Sequence, residues 1–95
     1  MKKITVQFAS FISNITKEDE RTFETDAKTV GDLLLELGNI YGEEFKKKIF
    51  IDGKRELRPF ILCFINGVDI KHFRKLETRL MNGDSIVLLP AFAGG

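Results

Sequence analysis

The sequence is poor in the residues that hold small proteins together through covalent or metal bonds. Cys63 is the only cysteine and His72 the only histidine, so the chain has no internal disulfide and no set of thiolates for a zinc or iron–sulfur site. We therefore expect a reducing, cytoplasmic setting and no bound metal. Because a free cysteine inside an apolar strand is most often a small core residue, this is the role we predict for Cys63.

Strong net charge and long apolar runs are also missing. The formal net charge is +1, which argues against direct nucleic-acid binding, since that function usually requires a clearly basic domain. No apolar run approaches the length of a membrane span, and the basic start of the chain lacks the apolar stretch of a signal peptide. These absences favour a cytoplasmic protein that acts away from membranes and nucleic acids.

The residues that are present suit one small globular domain. The 95 residues are 43% hydrophobic and 31% charged, an ordinary composition for a folded protein. Nine phenylalanines and no tryptophan indicate a phenylalanine-rich core. Since no repeat or linker divides the chain, we predict a single domain over residues 1–95, with residues 90–95 as a tail.

Apolar periodicity in the first half predicts a strand hairpin followed by a helix. Alternation over residues 3–8 and again over residues 21–25 is typical of half-buried strands, with residues 14–19 as the turn between them. Over residues 30–41 apolar side chains recur at helical spacing, and Thr29 stands where an N-cap is expected. This segment is the main predicted helix.

The second half predicts a connector and three more strands. Residues 43–59 contain both helix-like and strand-like stretches, and we interpret them as the connector. An apolar run then meets Asn66-Gly67, a strong signal for a two-residue hairpin. We predict a strand at residues 60–65, a hairpin turn at 66–67 and its return strand at 68–70. A second turn at residues 82–84 leads to the last strand at 85–89.

This order of elements predicts an α+β fold in which a mixed sheet packs on one main helix. One helix can cover only one face of a sheet, yet the last two long strands are apolar on both faces. An exposed apolar face usually marks a partner surface. We expect Val87 and Leu89 on that surface. From the other strand we expect some of Ile61, Cys63 and Ile65 there, or the residues that alternate with them. Alternatively, the connector folds over this face and covers it.

The last six residues, Pro90-Ala91-Phe92-Ala93-Gly94-Gly95, are predicted to form an arm. Pro90 has no N–H to donate to a sheet ladder, so we expect it to end the strand pairing. Six extended residues reach about 20 Å, and glycines let a foreign active site approach the backbone closely. The alternative is a frayed chain terminus without function.

Five segments of the chain match the ordered pattern of a known family. They are Phe8-Ala9, Thr29-Val30-Gly31-Asp32-Leu33-Leu34, Phe64-Ile65-Asn66-Gly67-Val68-Asp69-Ile70, Leu80-Met81-Asn82-Gly83-Asp84-Ser85-Ile86 and the six-residue ending. Together they span nearly the whole chain, and the sequence resembles the MoaD family. The resemblance implies a ubiquitin-like β-grasp domain with a flexible Gly-Gly tail. Phe92 departs from the pattern, because a smaller residue such as valine is expected there.

For function, the resemblance implies a sulfur carrier that is not catalytic alone. A MoeB-like adenylating enzyme would activate the carboxylate of Gly95 with ATP, and a sulfur source would convert it to a thiocarboxylate. The arm would insert into a MoaE-like large subunit and deliver sulfur in molybdopterin biosynthesis; its residues are Pro90, Ala91, Phe92, Ala93 and Gly94. We expect no cofactor on the carrier itself, which has no GxxxxGK[ST] loop for ATP.

Other functions are compatible with the same sequence. The stretch from Gly38 to Pro59 makes the chain longer than the compact ThiS-type thiamine carriers, which favours the MoaD type. A carrier of the same fold could instead donate sulfur for tRNA thiolation, or form isopeptide bonds to lysine as Urm-type modifiers do. A third class is a β-grasp interaction domain with an inert terminus.

Overall fold

The computed structural model describes residues 1–91, in which one five-stranded mixed sheet packs against three α-helices. The elements in chain order are β1 (Lys2–Phe8), α1 (Phe11–Thr16), β2 (Glu20–Thr25), α2 (Val30–Tyr41), α3 (Glu43–Ile49), β3 (Ile61–Ile65), β4 (Val68–Asp69) and β5 (Ser85–Pro90). Two single-turn 3-10 helices, Ile70–His72 and Lys75–Glu77, lie between β4 and β5. Within residues 1–91, no helix has the length and apolar character needed to cross a membrane.

The strand order in the sheet is β2-β1-β5-β3-β4. β1 and β5 are parallel, and all other neighbouring strands are antiparallel. The first and last long strands therefore lie side by side in the middle of the sheet. This arrangement confirms the predicted α+β class and the mixed sheet.

The first two strands are confirmed, but the segment between them is a helix rather than the predicted turn. β1 pairs antiparallel with β2, and the alternate side chains of β1 are buried. Between the strands, α1 turns the side chains of Ile12 and Thr16, one helical turn apart, into the core. The prediction of a turn over residues 14–19 was therefore wrong, because burial of these side chains favours a turn of helix.

The main helix α2 begins with the cap that the sequence predicts. Thr29 is extended, and its Oγ1 accepts a hydrogen bond from the Asp32 backbone N–H at 3.1 Å. A cap of this kind stabilises a helix by about 1 kcal/mol, because it satisfies an N–H that has no partner inside the helix. The apolar side of α2 faces the core with these buried residues: Val30, Leu33, Leu34 and Leu37.

The predicted connector contains a third helix, α3, so the prediction of a single main helix was incomplete. Phe45 and Ile49 of α3 are fully buried in the same core as α2 and the sheet. α3 approaches α2 closely because residue 38 is glycine: a Cβ at Gly38 would lie 3.0 Å from Cγ of Lys46. This contact gives a physical reason for a residue that costs about 1 kcal/mol of helix propensity relative to alanine.

The predicted hairpin turn between β3 and β4 is confirmed. Asn66 and Gly67 have φ angles of 50° and 84°, the two positive values that a type I′ turn requires. The return strand is shorter than predicted, because the chain enters a 3-10 helix at Ile70. The second predicted turn, at residues 82–84, is also present.

The helices pack on one face of the sheet and leave the other face open. Ile61, Cys63 and Ile65 of β3 are buried in the core, whereas Leu62 and Phe64 on the opposite face are half-buried. Helix α3 from the connector belongs to that same core. The alternative in which the connector covers the open face is therefore wrong.

Candidate functional site

The last described segment, strand β5, is held in the sheet up to Ala91. Ile61 lies opposite Pro90, and the Ala91 N–H donates to the Phe60 carbonyl at 2.6 Å. In antiparallel pairs, successive residues direct their N–H groups to opposite sides, so the ring nitrogen of Pro90 faces the β1 side. There the pairing between β1 and β5 has already ended at Leu88. The ladder needs no N–H from Pro90, and the prediction that this residue ends the pairing was wrong.

The predicted chemistry falls on residues beyond this strand. Phe92, Ala93, Gly94 and Gly95 lie outside the described residues, so their roles stay predictions. The insertion of Pro90 and Ala91 into a partner also stays a prediction. The structure gives the starting point of the arm, which is a paired position at the end of a central strand.

Four apolar side chains on the open face form a continuous patch beside that position. Leu62 lies opposite Leu89, and Phe64 lies opposite Val87, in the antiparallel pair of β3 and β5. All four side chains are half-buried. Phe60, one residue before β3, extends the patch toward Ala91 with 37% of its surface exposed. We call Leu62, Phe64, Val87 and Leu89 the apolar patch.

Polar residues border the apolar patch on the side of β1 and β2. Oγ1 of Thr5 and Oγ1 of Thr22 lie 3.1 Å apart, and Nε2 of Gln7 donates to Oε1 of Glu20 at 3.0 Å. These cross-strand contacts satisfy the side chains on the same open face. The face is therefore divided into an apolar half next to the end of β5 and a polar half on the far strands.

Cys63 lies directly behind the apolar patch and is a core residue, as predicted. Its side chain is 1% exposed. Burial, with a smaller contribution from the charge of Asp69, raises the pKa of the Cys63 thiol to about 12. The thiol is therefore protonated at neutral pH and is not a nucleophile. Within residues 1–91, no three His, Cys, Asp or Glu side chains are grouped closely enough to hold a metal ion.

Comparison with known proteins decides the family. A sequence model of the ThiS family matches residues 6–95. The chain belongs to the ThiS family. A protein of Archaeoglobus fulgidus, named as a candidate sulfur carrier protein, is 39% identical over 74 residues, which are 76% of this chain and 82% of the relative.

Two solved structures resemble this member of the ThiS family along nearly its whole length. The small archaeal modifier protein 1 of Methanosarcina acetivorans has 26% identity and a TM-score of 0.82, covering 100% of this chain and 98% of that protein. A chain of the Amycolatopsis orientalis BexX/CysO complex has 26% identity and a TM-score of 0.78, covering 97% and 99%. These findings confirm the ubiquitin-like β-grasp fold and the resemblance to the MoaD/ThiS superfamily. The chain is a ubiquitin-like sulfur carrier of that superfamily.

The sequence predicted two of the four residues of the apolar patch. Val87 and Leu89 lie on the open face as predicted, whereas Leu62 and Phe64 were included only as alternates of buried residues. The run of apolar residues in β3 gave no sign of which set faces the core. The register with β5 decides it, and that register depends on contacts between distant parts of the chain.

Proposed function

We propose that this protein carries sulfur as a thiocarboxylate on Gly95. The proposal rests on the match to the ThiS family, which runs through Gly94 and Gly95. The Gly95 carboxylate would attack the α-phosphorus of ATP, forming an acyl adenylate and releasing pyrophosphate. A sulfur nucleophile would then add to the acyl carbon and expel AMP, which leaves sulfur in place of one carboxylate oxygen.

The carrier's own part in this chemistry is presentation. A free carboxylate is a poor electrophile, so the acyl adenylate must form in the active site of a partner, which we propose is a MoeB-like adenylating enzyme. Docking of that partner is the role we propose for the apolar patch, since the centres of protein interfaces are apolar. The patch lies next to Ala91, so a partner bound there is close to the start of the arm.

For the sulfur acceptor, we propose the molybdopterin precursor held by a MoaE-like large subunit. The support is the ordered set of sequence segments that resembles the MoaD family. The thiocarboxylate is a good sulfur nucleophile. Once its sulfur is bonded to the acceptor, water would hydrolyse the acyl–sulfur bond, which leaves the sulfur on the acceptor and returns Gly95 to a carboxylate that can be activated again. The carrier would therefore cycle between the adenylating enzyme and the large subunit.

A second candidate is attachment to the lysines of other proteins. The observation that favours it is the similarity to the small archaeal modifier protein 1, which extends over 100% of this chain. In this case a lysine amine attacks the carbonyl of the Gly95 acyl adenylate, expels AMP, loses a proton and forms an isopeptide bond. Both candidates use the same activation step, and they differ in the nucleophile that follows it.

Intact-mass spectrometry tests the activation step. The chain is incubated with a MoeB-like adenylating enzyme, ATP and a sulfide source, and we expect a mass gain equal to the replacement of one oxygen by sulfur. A sample without ATP is the control and should keep its mass. An unchanged mass in the complete reaction, with the enzyme shown to be active on its own carrier, would contradict the proposal.

The acceptor is tested with the thiocarboxylate form. Mixing it with a MoaE-like subunit and the pterin precursor should return the carrier to its carboxylate mass and load the pterin with sulfur. For the modifier function, the carboxylate form is instead incubated with the adenylating enzyme, ATP and cell proteins, and stable conjugates on lysine found by mass spectrometry would favour it. If the thiocarboxylate stayed intact with the large subunit and no lysine conjugates formed, both acceptors would be rejected.

The apolar patch makes a separate prediction about partner docking. In the double variant Val87→Glu and Leu89→Glu, charge replaces two apolar contacts, and we expect the partner enzyme to bind about 100-fold more weakly. The matched control places the same charges on exposed apolar residues of α2, as Leu35→Glu and Ile40→Glu, and should bind normally. Titration by calorimetry measures both, and equal binding by the two variants would exclude the patch from the interface.

A further inference from the structure

Charge is distributed unevenly along the chain. Residues 17–36, which include edge strand β2, contain seven Asp or Glu and three Lys or Arg. Residues 46–79, which include β3 and the opposite edge strand β4, contain ten Lys or Arg and four Asp or Glu. The net charge of +1 therefore hides an acidic stretch and a basic stretch of the chain, which meet where Arg55 lies 3.0 Å from Asp32.

A cleft of about 500 Å³ lies within the basic stretch. It runs between the segment before β3 and the two 3-10 helices after β4. Leu57, Ile61 and Leu76 line it with apolar surface, and Lys71, Arg74 and Lys75 line it with positive charge. We call this feature the basic cleft.

Three cations of the basic cleft are available to a partner. The side chains of Lys71, Arg74 and Lys75 are exposed, and among residues 1–91 they have no ion-pair partner.

Carboxylates also line the cleft. Oδ1 of Asp69 accepts the backbone N–H of Lys71 at 2.9 Å. Oε1 of Glu77 lies 3.9 Å from the guanidinium of Arg55, and Glu56 is exposed. With five Lys or Arg and three Asp or Glu among its lining residues, the cleft combines an apolar lining with an excess of positive charge.

The basic cleft is continuous with the surface from which the arm starts. Leu62 lines the cleft and is also a member of the apolar patch. Phe60, whose carbonyl holds the N–H of Ala91, lies between the cleft-lining residues Pro59 and Ile61. A partner that fills the cleft is therefore in contact with the same end of the sheet.

We propose that the basic cleft binds an acidic segment with apolar side chains, located on the adenylating enzyme that activates Gly95. This inference rests on the proposed function. Carboxylates of the segment pair with Lys71, Arg74 and Lys75, and its apolar side chains contact the apolar lining. The apolar lining of the cleft and the low net charge of the chain favour a protein segment over single-stranded RNA as the ligand.

A labelled peptide tests the cleft without any sulfur chemistry. The probe is a short fluorescein-labelled peptide in which glutamates alternate with leucines, and fluorescence anisotropy follows its binding to the full chain. In the double variant Lys71→Glu and Arg74→Glu we expect binding to weaken about 10-fold or more, since two attractions become repulsions. The control Lys48→Glu and Lys54→Glu makes the same change in net charge on exposed residues outside the cleft, and it should bind almost normally.

The outcomes separate this inference from the proposed function. Equal weakening of peptide binding in both variants would show general charge attraction and overturn the proposed binding at the cleft. Tighter binding of a labelled single-stranded RNA than of the peptide would overturn it as well. A peptide with glutamine in place of glutamate should bind as weakly as the cleft variant does. With the adenylating enzyme, the cleft variant should need more enzyme for half-maximal sulfur loading but reach the same final mass. Failure of the unchanged chain to gain sulfur would reject the proposed function and leave the peptide result standing.

Discussion

Removal of Gly94 and Gly95 is expected to abolish sulfur loading while leaving the fold stable. The shortened chain ends about 7 Å earlier, so its carboxylate no longer reaches the site in which the partner enzyme forms the acyl adenylate. All contacts among residues 1–91 are retained, and the free energy of unfolding should change by less than about 0.5 kcal/mol. Intact mass after the loading reaction and urea unfolding measure the two effects.

Two further variants make this prediction specific to the terminal carboxyl group. Ala93→Gly keeps both the length and the Gly-Gly ending, and it should still be loaded. One extra residue after Gly95 moves the carboxylate onto a side-chain-bearing residue, and it should prevent loading until a protease removes it. Loading of the extended chain without cleavage would place the chemistry elsewhere. A large loss of stability in the truncated chain would mean that Gly94 and Gly95 are part of the packed structure.

The features that sequence predicted correctly are those with local causes. Period-two alternation placed β1 and β2, and the spacing after Thr29 placed α2 with its cap. The type I′ turn needs positive φ at two successive residues, and Asn66-Gly67 is among the few pairs that tolerate it. In each case neighbouring residues carry the information, so no knowledge of the distant chain was needed.

The features that sequence missed depend on contacts between distant residues. Helices of six and seven residues, such as α1 and α3, are too short to be stable alone. They form because Ile12 and Phe45 are buried against other elements. Pro90 was misread for a similar reason, since only the register between β3 and β5 reveals that its missing N–H faces an unpaired side.

For the candidate site, the chemistry at Gly94-Gly95 stays a prediction from the sequence, because these residues lie outside those that the structure describes. The composition of the apolar patch needed the structure. Leu62 and Phe64 join Val87 and Leu89 only when the two strands are paired in register, and the basic cleft joins segments that are distant in sequence.

Phe45→Ala is expected to lower the free energy of unfolding more than any other single substitution proposed for this protein. Phe45 is 0% exposed, and its ring centroid lies 5.7 Å from that of Tyr41, which in turn packs edge-on against Phe8 at 5.6 Å. Truncation leaves a cavity where α3 meets the core, and such changes lower the free energy of unfolding by about 3 to 5 kcal/mol. Urea unfolding followed by circular dichroism measures the loss.

The matched control is Phe73→Ala, the same substitution at a side chain that is 52% exposed. It should lower the free energy of unfolding by less than about 1 kcal/mol, because little buried contact is removed. The difference between the two variants reports how firmly α3 belongs to the core. If Phe45→Ala were no more harmful than Phe73→Ala, residues 43–49 would not be packed into the core, and the burial of α3 in the structure would be wrong.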